Sequence, residues 1–118
     1  KERDTVAVVT DQFGQPTYSM DLARQIAAVF ERHPEAGTYH ATNSGEVSWF
    51  GFTKEIFRLA GADPDRVLPT TSADFVRPAP RPAYSVLGHD RWAEQGVPEM
   101  RPWAEALAAA FADGIAAD

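Results

Sequence analysis

Apolar and polar positions change period several times along this chain. Val6, Val8 and Val9 make a short β-branched run over residues 5–10, which suits a strand. It stops at Asp11, Gly14 and Pro16, all turn-forming residues. Ser19 then suits a helix N-cap with Asp21 in the first turn, and Leu22, Ala23, Ile26, Ala27, Val29 and Phe30 recur at helical spacing until His33-Pro34 ends the run. "GTYHAT" (37–42) reads as a second strand, followed by the turn cluster Asn43-Ser44-Gly45. With Ser48 as cap, Trp49, Phe52, Ile56, Phe57 and Ala60 form the buried stripe of a second helix, and Gly61 fits the C′ position. "RVLPTT" (66–71) is a third strand candidate, placed at a sheet edge by Pro69. Residues 75–82 are proline-rich and extended. A short helical turn around residues 90–95 and a last helix from Pro102, with Trp103, Leu107, Ala110 and Phe111 on one face, complete the chain.

The order β-α-β-α-β, a proline-rich crossing and two further helices, about four helices and a few short strands in all, reads as α/β. Three short strands are few for an independent parallel sheet, which needs cover on both faces. The pattern therefore predicts the end portion of a larger α/β protein, and the polar start running directly into a strand has the same implication.

Length and charge narrow the function. With 118 residues and 44% hydrophobic content, there is room for one domain with a modest core. Seventeen acidic against 11 basic residues give a net charge of −6, which argues against nucleic acid and anionic membrane surfaces as partners. A small molecule or another protein is the expected partner. The lack of cysteine excludes disulfides and thiolate metal sites, no apolar run is long enough to span a bilayer, and the cytoplasm is the default compartment.

Most chemical motifs fail here. No pair of the eight glycines is separated by a single residue, so the dinucleotide fingerprint G-x-G-x-x-G is absent, as is a G-x-x-x-x-G-K phosphate loop. Tyr-x-x-x-Lys fails at Tyr18, Tyr39 and Tyr84. His33, His40 and His89 are too scattered for a metal site, and His40 reads as a satisfied strand residue. Asp63 and Asp65 lack the glycine of a calcium loop and read as a solvated turn, while Trp49 and Trp103 read as core.

Two stretches remain. One is "TDQFGQPTYSMDLA" (10–23), whose polar residues exceed what a connection needs, although Asp11 capping its own backbone is an equally simple reading. The other is "RPAPRPAYS", where prolines stiffen the backbone around Arg77 and Arg81, two guanidiniums suited to a phosphate or diphosphate. A solvated polyproline strut is the competing reading.

Together these stretches and the segment between them resemble the C-terminal part of dTDP-4-dehydrorhamnose reductases. A D-Q-x-G-x-P-T loop is matched by Asp11, Gln12, Gly14, Pro16 and Thr17, and a D-[LI]-A helix start by Asp21, Leu22 and Ala23. G-x-Y-H is matched by Gly37, Tyr39 and His40, and S-G-E-x-S-W by Ser44, Gly45, Glu46, Ser48 and Trp49. R-P-A-x-S-x-L is matched by Arg81, Pro82, Ala83, Ser85 and Leu87. Tyr84 stands where Asn is usual and Gly88 where Asp is common, departures that leave open a relative acting on another 4-keto-6-deoxy sugar.

The resemblance implies an extended short-chain dehydrogenase, an oxidoreductase in which a Rossmann half binds NADPH or NADH and supplies the Tyr/Lys pair. Residues 1–118 would be the C-terminal substrate-binding part, inactive alone, holding neither catalytic, cofactor-binding nor metal-ligating residues. Gln12, Gly14, Pro16, Thr17 and Arg81 would bind the nucleotide-sugar, with Arg81 rather than Arg77 on the diphosphate. The strand carrying Tyr39 would join the cofactor-side sheet, so the three strand candidates would not share one sheet. A homodimer stays open as an assembly. The alternative within the superfamily is a non-catalytic regulatory or protein-binding module, and outside it an independent interaction domain.

Overall fold

A computed structural model describes residues 5–74 and 78–114. Its elements run β1 (Val6–Val9), β2 (Phe13–Gly14), α1 (Ser19–Arg32), β3 (Val47–Ser48), α2 (Trp49–Leu59), β4 (Val67–Thr70), α3 (Asp90–Glu94) and α4 (Trp103–Ala112). Short 3-10 turns cover Pro64–Arg66 and Ser72–Asp74. The α/β class expected from the sequence is what forms. Among the described residues no helix is long and apolar enough to cross a membrane.

The β-branched runs at either end of the α2 region find each other. β1 pairs parallel with β4, Val6 opposite Val67 and Val9 opposite Thr70, and α2 packs against both strands. Pro69 is tolerated because the ribbon has only these two strands, so each is an edge. A separate antiparallel pair, β2 with β3, sets Phe13 opposite Ser48 and Gly14 opposite Val47.

Residues 37–42 do not form the expected strand. No strand among the described residues pairs with them, and without a ladder partner they form no regular element. His40 is thus not a strand residue: its side chain is exposed, and its carbonyl accepts from Trp92 Nε1 at 2.9 Å. Of the three strand candidates, β1 and β4 share one ribbon and residues 37–42 form no strand, so the three do not make a single sheet.

Helix ends follow local chemistry. Ser48 accepts from the Gly51 amide at 3.0 Å, as expected of an N-cap, and Gly61 adopts φ +77 just beyond α2. His33, at φ 48, closes α1 ahead of Pro34. The N-cap of α1 is Tyr18, not Ser19, which is the first helical residue; the Tyr18 side chain makes no cap bond.

Packing departs further from the periodicity. The residues of α1 that are buried are Asp21 and Gln25, while Ile26 and Phe30 are 49% and 73% exposed. The apolar stripe faces outward because the surfaces beneath α1 are polar: Asn43, Arg101 and the Pro98 carbonyl, to which Gln25 donates at 2.9 Å. On α2, Trp49 is 54% exposed and Ala60 is exposed, so neither belongs to a buried stripe. The apolar core comprises Val67, Trp92, Val97, Met100, Ala106 and Ala110.

Such a core is small for the length. The accessible surface is 7798 Å², against about 6,300 Å² for a compact monomer of this mass. The radius of gyration is 16.5 Å, against about 13.5 Å for a compact chain of this length. The chain thus exposes more surface than a compact domain of its mass, and Ile26, Phe30, Trp49 and Tyr84 are among its exposed large apolar residues.

Candidate functional site

The 10–18 loop carries the polar residues that the sequence singled out, and several of them tie it to separate parts of the fold. Thr10 donates to the Thr70 carbonyl through its amide (2.9 Å) and its hydroxyl (3.2 Å). The Asp11 carboxylate is held chiefly by Ser72, with its own backbone amide as a weaker partner. It accepts from the Ser72 hydroxyl at 2.8 Å and the Ser72 amide at 3.1 Å, and these bonds hold its carboxyl below the usual range. The Gln12 carbonyl accepts from the Trp49 amide at 3.2 Å, locking the loop to the start of α2.

Phe13 is the centre of a small three-stranded patch. On one side it pairs with Ser48; on the other its amide donates to the Ala83 carbonyl at 2.8 Å, and its carbonyl accepts from the Ser85 amide at 3.0 Å and hydroxyl at 3.1 Å. Gly14 is needed for this approach, since a Cβ there would sit 3.2 Å from Ser85 Oγ. Gln15 extends the contact: its carboxamide accepts from the Leu87 amide at 2.7 Å and reaches back toward the Leu87 carbonyl at 3.4 Å. The structure thus zips together the two stretches that survived the sequence filter, although they are about seventy residues apart.

Two hollows flank the loop. One, of about 400 Å³, is lined by Pro16, Thr17, Trp49, Phe52, Trp103 and Leu107, among others, and is mostly apolar. Trp49, Phe52 and Trp103 meet edge to face, with centroids 6.1 and 6.0 Å apart. The other, of about 230 Å³, is lined by Gly14, Gln15, Pro16, Ser48, Trp49 and Ser85. Trp49 and Pro16 stand between them, so this exposed indole belongs to the site rather than the core.

The expected binding residues fall into place unequally. Gly14 and Pro16 border the smaller hollow, Pro16 and Thr17 the larger. The Thr17 hydroxyl donates to the Gln15 carbonyl at 3.1 Å and keeps its acceptor capacity. Gln12 is half-buried, and its carboxamide makes no hydrogen bond among the described residues. Arg81 is exposed, lines neither hollow, and its guanidinium, two residues ahead of Ala83, has no partner among the described residues. Arg77 lies outside the described residues. Tyr84, at the departure from the family pattern, donates its hydroxyl to the Glu46 carboxylate, which pushes the Tyr84 hydroxyl pKa up.

Behind the loop lies a polar cluster that the sequence reading passed over. Asp21, 7% exposed, accepts from Arg101 Nε and Nη2, both at 2.9 Å, and from Asn43 Nδ2 at 2.8 Å. The Arg101 fork, then the Asn43 amide, hold the Asp21 carboxyl below its usual range against the opposing effect of burial. Asn43, fully buried, accepts from the Tyr18 amide at 2.7 Å. In the sequence Asp21 suits a first-turn acid and Asn43 a turn former, and only the place of Asp21 inside a matched motif hints at more. Among the described residues no three His, Cys, Asp or Glu side chains gather to hold a metal ion.

A family model described as RmlD substrate binding domain matches residues 1–115. This chain belongs to that family. It is 56% identical over 114 residues to a probable dTDP-4,6-dihydroxy-2-methyloxan-3-one 4-ketoreductase of Streptomyces antibioticus, covering 96% of this chain and 38% of that protein. It is 49% identical to a dTDP-4-dehydrorhamnose reductase of Streptomyces griseus, covering 93% of this chain and 38% of that one. A crystal structure of dTDP-4-dehydrorhamnose reductase from Bacillus anthracis in complex with NADP superimposes with a TM-score of 0.87 at 38% identity, over 95% of this chain and 39% of that one. The chain therefore spans a little over a third of the length of these RmlD-type relatives.

Proposed function

We propose that this chain forms the nucleotide-sugar-binding wall of a cytoplasmic, NAD(P)H-dependent dTDP-4-dehydrorhamnose reductase. The observation that carries the reading is the zipper between the 12–17 loop and residues 83–87, which joins two family motifs around the paired hollows. In this reading Gln12 and Thr17 offer hydrogen bonds to the substrate, Gly14 and Pro16 shape the backbone, and Arg81 approaches the diphosphate. A guanidinium on a proline-stiffened segment, with no partner among the described residues, loses little entropy in gripping a phosphate.

The chain's own residues do not fit the dinucleotide. β1 leads to α1 through Pro16 and Thr17 instead of closely spaced glycines, and the buried Asp21 carboxylate in the first turn of α1 opposes a pyrophosphate there. The nicotinamide and the proton-transfer groups are accordingly assigned to a cofactor-binding portion outside residues 1–118. The outward apolar face of α1, the 37–42 segment, which has no strand partner among the described residues, and the roughly 1,500 Å² of surplus surface support a large interface with that portion.

A second reading concerns the sugar. Relatives carry the names of a 4-ketoreductase and of a dTDP-4-keto-6-deoxy-D-glucose reductase, and Tyr84 with Glu46 gives this chain a side-chain bridge at a position where the family usually has Asn. Both readings share the 4-keto-6-deoxy class. The test is to follow NADPH oxidation by the intact polypeptide with dTDP-4-dehydro-L-rhamnose and with dTDP-4-dehydro-6-deoxy-D-glucose. Turnover of the first supports the rhamnose reading, turnover of the second alone supports the other sugar, and turnover of neither removes both.

A further inference from the structure

The polar cluster beneath α1 is placed to control the substrate loop. Asn43 is the link: its side-chain carbonyl accepts from the amide of Tyr18, the last residue of the loop, and its side-chain amide donates to Asp21 and, at 3.1 Å, to the Arg101 carbonyl. The Arg101 guanidinium then closes a bidentate pair on Asp21. The neighbouring turn is clipped to the same strand of chain, with the Ser44 amide donating to the Arg101 carbonyl and the Trp103 amide to the Ser44 carbonyl, both at 3.0 Å. Gly45, at φ +82, permits that turn, and a Cβ there would lie 3.3 Å from the Trp103 ring.

Apolar packing does little to fix where α1 begins, because its apolar stripe faces outward and its buried residues are Asp21 and Gln25. A fully satisfied buried polar network specifies one arrangement where apolar contact would accept several. Resting on the substrate-wall reading above, we propose that Asp21, Asn43 and Arg101 are positioning residues that hold the exit of the 12–17 loop, and with it Pro16 and Thr17, in the geometry that binds the nucleotide-sugar. They act through the Tyr18 amide and do not touch the substrate.

The test uses the intact polypeptide carrying Asn43→Ala, Arg101→Met or Arg101→Lys. Amide hydrogen exchange should quicken about fivefold or more across residues 14–18 in Asn43→Ala, the effect of losing one buried acceptor, with β4 and α2 unchanged. KM for the nucleotide-sugar should rise about tenfold in Asn43→Ala and Arg101→Met with kcat and the cofactor KM within about twofold, and Arg101→Lys should recover part of the loss. A lowered melting temperature with unchanged KM, or faster exchange spread evenly over the chain, would overturn the proposal and leave a plain structural staple. If the intact wild type turned over no 4-keto sugar, the proposed function would fail by itself. The exchange result would still decide here: confinement to 14–18 supports loop positioning, and uniform acceleration or no change refutes it.

Discussion

Arg101→Met removes one half of the most deeply seated ion pair among the described residues. Asp21 stays 7% exposed and keeps only the Asn43 amide and Arg24, whose guanidinium is 3.4 Å away and itself 66% exposed. Stranding one partner of a buried pair costs about 3–5 kcal/mol, and because Arg101 is 36% exposed the lower end applies, about 3 kcal/mol. For a domain of this size that is a fall in melting temperature of about 10 °C. The deficit depends on pH in a definite direction. In the wild type the folded-state pKa of Asp21 is depressed, so its contribution is present above the unfolded value near 3.8 and is lost as pH falls through the lower folded value. Without Arg101 the strongest influence lowering that pKa is gone and burial is opposed only by Asn43 and Arg24, so the variant's carboxyl protonates at a higher pH than the wild type's. Urea unfolding of both proteins at pH 7 and pH 4.5 should show the gap narrowing at the lower pH. A gap below about 1 kcal/mol at pH 7, or one that does not narrow at pH 4.5, would refute the assignment of Asp21 as a buried, charged partner of Arg101.

Arg81→Ala should raise KM for the nucleotide-sugar about 10- to 100-fold without moving the cofactor KM, and Arg81→Lys should restore only part, as steady-state kinetics on the intact protein will show. Trp92, 3% exposed, stacked on Tyr39 at 5.0 Å and donating to the His40 carbonyl, should cost about 3–5 kcal/mol when changed to Ala, measured by denaturant unfolding. Phe30→Ser should change the stability of the isolated 118-residue chain by less than about 0.5 kcal/mol, because the ring is 73% exposed, yet destabilise the intact protein by more than about 1 kcal/mol if α1 faces the cofactor-binding portion.

The parts of this fold legible in the sequence are those set by neighbours along the chain. Ser48 as a cap, Gly61 beyond α2, the His33-Pro34 stop and the solvated turn around Asp63, which accepts from the Asp65 amide at 2.9 Å, all follow from local backbone chemistry. The misreadings share a different cause. Periodicity finds an apolar face but does not say what lies opposite it, so helical spacing alone does not reveal that Ile26 and Phe30 face outward, nor that Trp49 and Ala60 leave the buried stripe expected of α2. Residues 37–42 have strand composition but no partner strand among the described residues. The loop and the Arg81 segment were recognisable from their polar residues and motif order, whereas Gln15, Asn43 and Arg101 were not, since their roles arise from contacts across as many as 80 residues.

The central claim is that the loop and the proline-stiffened segment form one wall of a nucleotide-sugar site. It is tested most directly by a crystal structure of the intact protein with dTDP bound. The nucleotide should lie against the 12–17 loop, with a diphosphate oxygen within hydrogen-bonding reach of the Arg81 guanidinium. A nucleotide bound with no contact to Gln12, Pro16, Thr17 or Arg81 would contradict it.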